Sequence, residues 1–199
     1  MASIPTPLQE ALGRLPQGLQ DHLLRTASIA RELAQFLGVD GEKASLSALA
    51  HDLCRAEPPS ALLHEARHRE LAIHPVEEAV PLLLHGPVAA ERLRDMGIHD
   101  PEVLDAVRWH STAHPALTPV GKVVFLADKL DEGKHPQPHP LLQKVANLAR
   151  RDVNTALLVY LQWQIQRLVE SGSPLHPATL EAWNALLLAG GLAPDPSKH

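Results

Sequence analysis

In Asp100-Pro101-Glu102 and again in Thr118-Pro119 a capping side chain stands directly before a proline at the head of an apolar stretch. An Asp or Thr just ahead of a helix accepts hydrogen bonds from its first free N–H groups. Proline fits the first turn because its missing N–H would have had no partner there. Such punctuation around Leu- and Ala-rich stretches restricts the chain to helices joined by short turns. Apolar residues at Leu23, Ala27, Ala30, Leu33, Ala34 and Leu37 keep a helical period, and Gly38 suits the residue that ends it. Asp40 caps a second helix over 41–54, and Ser60 caps a third over 60–71. A short segment over 76–84 is interrupted by Pro81. Helices over 87–96, 101–110 and 121–131 follow, then a long one over 141–170 and a last one over 177–188. Val123-Val124-Phe125-Leu126 reads locally as a strand, but no partner run exists and it continues into Ala-Asp-Lys-Leu, so it is assigned to a helix. With aromatics at 3% there is little to favour a sheet, and the expected class is all-α.

The 199 residues suffice for one domain with a real core. The expected organisation is an N-terminal arm over 1–18 with one short turn of helix, one helical domain over 19–190, and a disordered tail over 191–199. Within the domain, residues 141–190 form a helical layer or the face of a homodimer. A net charge of −5 argues against nucleic acid as partner, since a basic face is wanted there. No apolar run approaches the ~18 residues that a membrane span requires, and Met1-Ala2-Ser3-Ile4-Pro5 does not read as a signal peptide. The single cysteine, Cys54, excludes an internal disulfide framework and fits a reducing cytoplasm. It reads as a small apolar residue in preference to a nucleophile.

Thirteen histidines are the unusual count. In Ala48-Leu49-Ala50-His51-Asp52-Leu53-Cys54-Arg55 an apolar run ends in an adjacent imidazole and carboxylate, a pair able to hold a divalent cation. His22 lies in the helix before it, His85 opens a later helix, and His110 ends another. Asp128 sits inside an apolar run, where a carboxylate is almost never left unpaired. Four His and two Asp exceed the needs of one metal. They suit two metals sharing a carboxylate, and the absence of thiolate favours Fe, Mn or a similar ion over structural zinc. His64 and His68 share a ligand-like i, i+4 spacing, but the charges around them make a solvated face the better reading.

The order His22, His51-Asp52, His85, His110, Asp128 resembles the HD-domain metal-dependent phosphohydrolases. That resemblance implies an HD-type helical bundle with additional C-terminal helices. It also implies metal ligation by His22, His51, Asp52 and Asp128, with His85 and His110 marking a second metal. Leu84-His85-Gly86-Pro87-Val88-Ala89-Ala90, Val107-Arg108-Trp109-His110-Ser111-Thr112 and Val124-Phe125-Leu126-Ala127-Asp128-Lys129-Leu130-Asp131 are similar to the YqeK-type branch, over about residues 15 to 170. The resemblance to that branch implies a hydrolase that cuts diadenosine tetraphosphate symmetrically into two ADP with a hydroxide held by a dinuclear metal centre. The alternatives are an HD phosphohydrolase for nucleoside mono- or triphosphates and a non-catalytic nucleotide-sensing module. Departures from the branch pattern are Leu19 for its usual Arg, Arg55 for Lys, Ser111-Thr112-Ala113 for Thr-Thr-Gly, and Asp131, Glu132 and Lys134 for its Glu, Pro and Arg.

Asp52 is expected in the catalytic centre. Asp131, one turn past Asp128, either orients a ligand or water there or is a solvated carboxylate. Arg55 is read as a phosphate-binding fork, the other reading being a surface Arg at a helix end. Arg25, His114 and Lys134 are further candidates for substrate contact, with Lys129.

Overall fold

The structure is a computed structural model that describes residues 4–134, 137 and 139–190, with Lys134 described in its backbone alone. Eleven α-helices are present among these residues, and no strand. They are α1 (Thr6–Gly13), α2 (Gln17–Leu37), α3 (Gly41–Ala50), α4 (Pro59–His68), α5 (Pro75–Ala79), α6 (His85–Asp95), α7 (Pro101–Trp109), α8 (Pro119–Lys129), α9 (Pro140–Ala149), α10 (Val153–Glu170) and α11 (Pro177–Ala189). Single 3₁₀ turns cover Pro81–Leu84 and Glu132–Lys134.

The local signals act as their chemistry requires. The Asp40 carboxylate accepts from the N–H groups of Glu42 and Lys43, Asp100 from those of Glu102 and Val103, and Thr118 from that of Gly121. Gly38 ends α2 in the left-handed region, with φ 64°. The segment Val123-Val124-Phe125-Leu126 lies within α8 and is fully buried.

Three expectations need correction. Residues 141–170 do not form one helix. Asp152 accepts from the N–H groups of Asn154 and Thr155 and starts α10 afresh, so the chain turns between α9 and α10. Ser60 does not cap α4; Pro58 precedes it and no side chain caps it. The stretch expected as an arm contains α1, whose Leu8 is completely buried, so this segment is packed into the body. The tail expected over 191–199 lies outside the described residues.

Helix α2 packs on α3 and α8, which touch each other, and α7 lies against α3, α6 and α8. Two apolar clusters fill the interior. One gathers α2, α3, α8, α9 and α10 around Phe125, and the other gathers α1, α4, α6 and α7 around Leu8, Leu62 and Leu93. Burying so many Leu, Val and Ala side chains is the main source of stability, at roughly 25 cal/mol per Å² of apolar surface. The ends of α3, α7 and α8 and the start of α6 meet where these clusters adjoin. Among the described residues no helix is long and apolar enough to cross a membrane.

Candidate metal centre

Six side chains from five places in the sequence converge. His22 comes from within α2, His51 and Asp52 from the turn that ends α3, His85 from the first residue of α6, His110 from the residue after α7, and Asp128 from the last turn of α8. All six are buried. One set brings ligand atoms of His22, His51, Asp52 and Asp128 together, and a second brings Asp52, His85 and His110 together. Asp52 belongs to both. Its Oδ1 lies 3.0 Å from His85 Nε2 and 3.3 Å from His110 Nε2, and its Oδ2 lies 3.5 Å from His51 Nε2 and 3.8 Å from His22 Nε2. Asp128 Oδ1 completes the first set, 3.2 Å from His22 Nε2 and 3.3 Å from His51 Nε2.

Every histidine of the cluster turns Nε2 inward and commits Nδ1 elsewhere. His51 Nδ1–H donates to the Ala48 carbonyl at 2.6 Å, His110 Nδ1–H to the Val107 carbonyl at 2.7 Å, and His85 Nδ1–H to the Leu82 carbonyl. His22 Nδ1–H donates to Asp131 Oδ2 at 2.7 Å. These partners assign the tautomer of the neutral ring, in which each Nε2 is a lone pair. The His22 and His51 Nε2 atoms are 3.3 Å apart, and those of His85 and His110 are 2.9 Å apart. Facing lone pairs at such distances repel unless a proton or a cation lies among them. The cluster therefore fits divalent metal ions, in two adjoining nitrogen and oxygen sets without thiolate.

The electrostatics agree. Burial opposes the charge on Asp52, yet His51, His110 and His85 hold its carboxyl far below the usual carboxylate range. Burial likewise opposes the charge on Asp128, and Lys129 and His51 keep it ionised. Burial alone would lower the His51 imidazolium, but Asp52 and Asp128 outweigh it and push it up to about 9. Burial holds His110 down at about 4. Two ionised carboxylates thus sit in a buried pocket that favours added positive charge.

A cavity of ≈ 250 Å³ opens onto this cluster, lined by Asp52, His85, His110 and Asp128 together with Arg55, Lys129, Ser111 and the apolar Val80, Leu82 and Leu83. Arg55 is exposed on its wall. Lys129 Nζ lies 2.6 Å from Asp128 Oδ2 and over the Phe125 ring, 5.0 Å from its centre. Ser111 Oγ stands 3.1 Å from His110 Nε2 and 3.3 Å from His85 Nε2.

The other candidates lie elsewhere. Asp131 is buried behind His22 and accepts from Arg25, and neither residue lines the cleft. His114 stacks on Trp109, with ring centres 4.5 Å apart, and accepts from the N–H of Ala116; it does not line the cleft. The side chain of Lys134 lies outside the described residues. His64 and His68 are exposed on α4. Cys54 is fully buried, and burial pushes its thiol up to about 12, so it is no nucleophile. Sequence reasoning missed Gly86. A Cβ there would meet the carbonyl oxygens of Arg108 at 2.7 Å and Val107 at 3.0 Å, so glycine lets α6 approach the end of α7 and brings His85 to His110.

Comparison with known proteins agrees with this arrangement. The HD domain family matches residues 19–133. A Halalkalibacterium halodurans protein named "Bis(5'-nucleosyl)-tetraphosphatase, symmetrical" is 31% identical, over 91% of this chain and 95% of its own length. A Bacillus subtilis protein of the same name is 29% identical, over 90% of this chain and 97% of its own. A crystal structure from Clostridium acetobutylicum, described as a predicted HD superfamily hydrolase involved in NAD metabolism, superposes with a TM-score of 0.86 at 25% identity, covering 92% of this chain and 96% of that one. The six converging side chains and these likenesses lead to one conclusion: the chain is an HD-domain hydrolase and belongs to the same family as the Halalkalibacterium protein.

Proposed function

We propose that the protein hydrolyses diadenosine tetraphosphate at its central anhydride, adding one water to give two ADP. The observation that carries this reading is Asp52, whose two oxygens face two separate sets of ligands. The names of the relatives support the substrate class. Two divalent cations, iron first and manganese next, would supply Lewis acidity and a water acidified for attack at neutral pH.

The chain's own residues do the rest. His22, His51 and Asp128 would hold one ion and His85 and His110 the other, with Asp52 offering an oxygen to each set. The cations and the side chains of Arg55 and Lys129 offset the charge of a polyphosphate that an acidic protein would otherwise repel. Arg55 is the phosphate fork, and Lys129 places a second cation beside Asp128. Ser111 is placed to position a water or phosphoryl oxygen near His85 and His110. The buried thiol of Cys54 suits a cytoplasmic protein.

Product analysis tests the reading. The protein is incubated with diadenosine tetraphosphate and Fe²⁺ or Mn²⁺, and the nucleotides are separated by anion exchange. ADP alone supports it. AMP with ATP moves the attack to another phosphorus. No turnover, beside cleavage of nucleoside mono- or triphosphates, replaces the substrate. Arg55→Ala then raises KM about tenfold or more, the scale of a charged hydrogen bond of about 1.5–3 kcal/mol.

A further inference from the structure

Asp131 is 1% exposed, and both of its oxygens are in use. Oδ2 accepts from His22 Nδ1–H at 2.7 Å and from Arg25 Nη2 at 2.9 Å. Oδ1 accepts from Arg25 Nε at 2.7 Å and from the Gly133 N–H at 3.1 Å. Arg25 is itself held from behind. A Cβ on Gly133 would lie 2.4 Å from Arg25 Nη2, 2.6 Å from Cζ and 2.8 Å from Nε, so the guanidinium lies against bare backbone that only glycine leaves open. Its outer side faces a different cavity of ≈ 370 Å³, lined also by Ser28, Glu32 and Arg150.

We propose that Arg25, seated on Gly133, is a positioning residue for the His22 side of the metal centre. A carboxylate held by one imidazole can swing about its own axis. The Arg25 fork and the Gly133 N–H add three donors that leave Asp131 one orientation, with Oδ2 on His22 Nδ1. That contact sets the His22 tautomer and aims Nε2 at Asp52 and Asp128. Lysine cannot reproduce a planar fork, so Arg25 is not replaceable by charge alone. The inference rests on the reading that the cluster holds two divalent ions.

The test is calorimetric titration of Mn²⁺ into the wild type, Arg25→Gln, Arg25→Lys and Gly133→Ala, with steady-state kinetics on diadenosine tetraphosphate and thermal melts to confirm folding. Arg25→Gln weakens one of the two Mn²⁺ sites by about tenfold or more, the scale for losing a group behind a ligand, and leaves the other unchanged. Turnover falls at low metal and returns at saturating metal, with KM unaltered. Arg25→Lys does not restore the affinity. Gly133→Ala keeps every charge, displaces the guanidinium, and shows the same defect. Unchanged Mn²⁺ affinity with a raised KM makes Arg25 a substrate contact and overturns the inference. Unchanged values of both also overturn it. A wild type that binds fewer than two Mn²⁺ removes the two-metal reading, and the inference with it.

Discussion

The Nε2 atoms of His85 and His110 face each other at 2.9 Å, while each ring donates its Nδ1–H to a carbonyl, His85 to Leu82 and His110 to Val107. Neither ring can turn its lone pair away without giving up the hydrogen bond that its Nδ1–H makes to that carbonyl. The backbone at two helix ends has therefore been used to hold two like dipoles in opposition. That cost is sensible only when the pair, with Asp52 Oδ1 at 3.0 and 3.3 Å, closes on a cation.

Replacing His110 by Ala separates a catalytic role from a structural one. The variant is expected to stay folded, since one imidazole is lost from a site whose other five ligands remain. Metal analysis should show one ion lost per chain. Turnover should fall more than about a hundredfold, the upper range for losing even a group that only supports a ligand. Unfolding together with loss of both ions would mean that the cluster serves stability alone.

Removing the metals should make stability peak near neutral pH. His51 in the folded chain titrates at about 9, above the 6.5 of an ordinary histidine, so its contribution is complete below about 6.5 and is lost as pH rises through 9. His110 titrates at about 4, below the same ordinary value, so its contribution is complete above about 6.5 and is lost as pH falls from there to 4. The two losses flank the same pH, near 6.5. Each amounts to a few kcal/mol, at about 1.4 kcal/mol for every tenfold change in proton affinity. Urea melts of the chelated protein at several pH values give the curve. With metal restored, the alkaline loss should shrink, because the cation takes the place of the proton. A chelated protein that grows steadily more stable towards pH 9 would refute this account.

The clustered side chains were legible in part because some break the local rule of their own segment, while His22 and His85 stood out only through the order they share with the resembled family. A carboxylate within Val124-Phe125-Leu126-Ala127-Asp128, or a His-Asp pair closing an apolar run, has no cheap explanation except a partner. The roles behind them were not legible, because they depend on neighbours distant in sequence. Arg25 and Asp131 are joined only through the packing of α2 against α8. The break between α9 and α10 had a local signal in Asp152, but apolar periodicity on both sides concealed it. Ala113 is instructive in the other direction. It stands where the resembled branch carries Gly, and its φ of 61° shows why glycine is favoured there.

Glu70 offers a clean gain in stability. It follows α4 with φ 54°, is exposed, and precedes Leu71, whose N–H closes the helix on the Ala66 carbonyl at 3.0 Å. This is the left-handed position that glycine normally fills. Glu70→Gly should raise stability by about 0.5–1 kcal/mol, after the entropy that glycine adds to the unfolded chain is set against the relieved strain. In a chain of this size the melting temperature should rise by roughly 2–4 °C per kcal/mol. A lower melting temperature would show that the Glu70 backbone carries no strain.

Gly86→Ala tests whether the approach of two helices, as well as the ligands themselves, makes the second half of the centre. A methyl group at residue 86 would lie 2.7 Å from the Arg108 carbonyl oxygen, 3.0 Å from that of Val107 and 3.3 Å from His110 Cε1. Two of these are backbone atoms at the end of α7, and they cannot rotate aside. Helix α6 must therefore retreat, taking His85 with it, while Asp52 and His110 stay with their own elements. Overpacking of this kind costs about 1–3 kcal/mol, so the melting temperature should fall. The sharper effect should be on the metal held by His85 and His110, whose affinity drops while the ion among His22, His51 and Asp128 is retained. Mn²⁺ titration resolves the two. A variant that loses stability but binds both ions as before would mean that the cluster tolerates the displacement, and that glycine at this position serves packing alone.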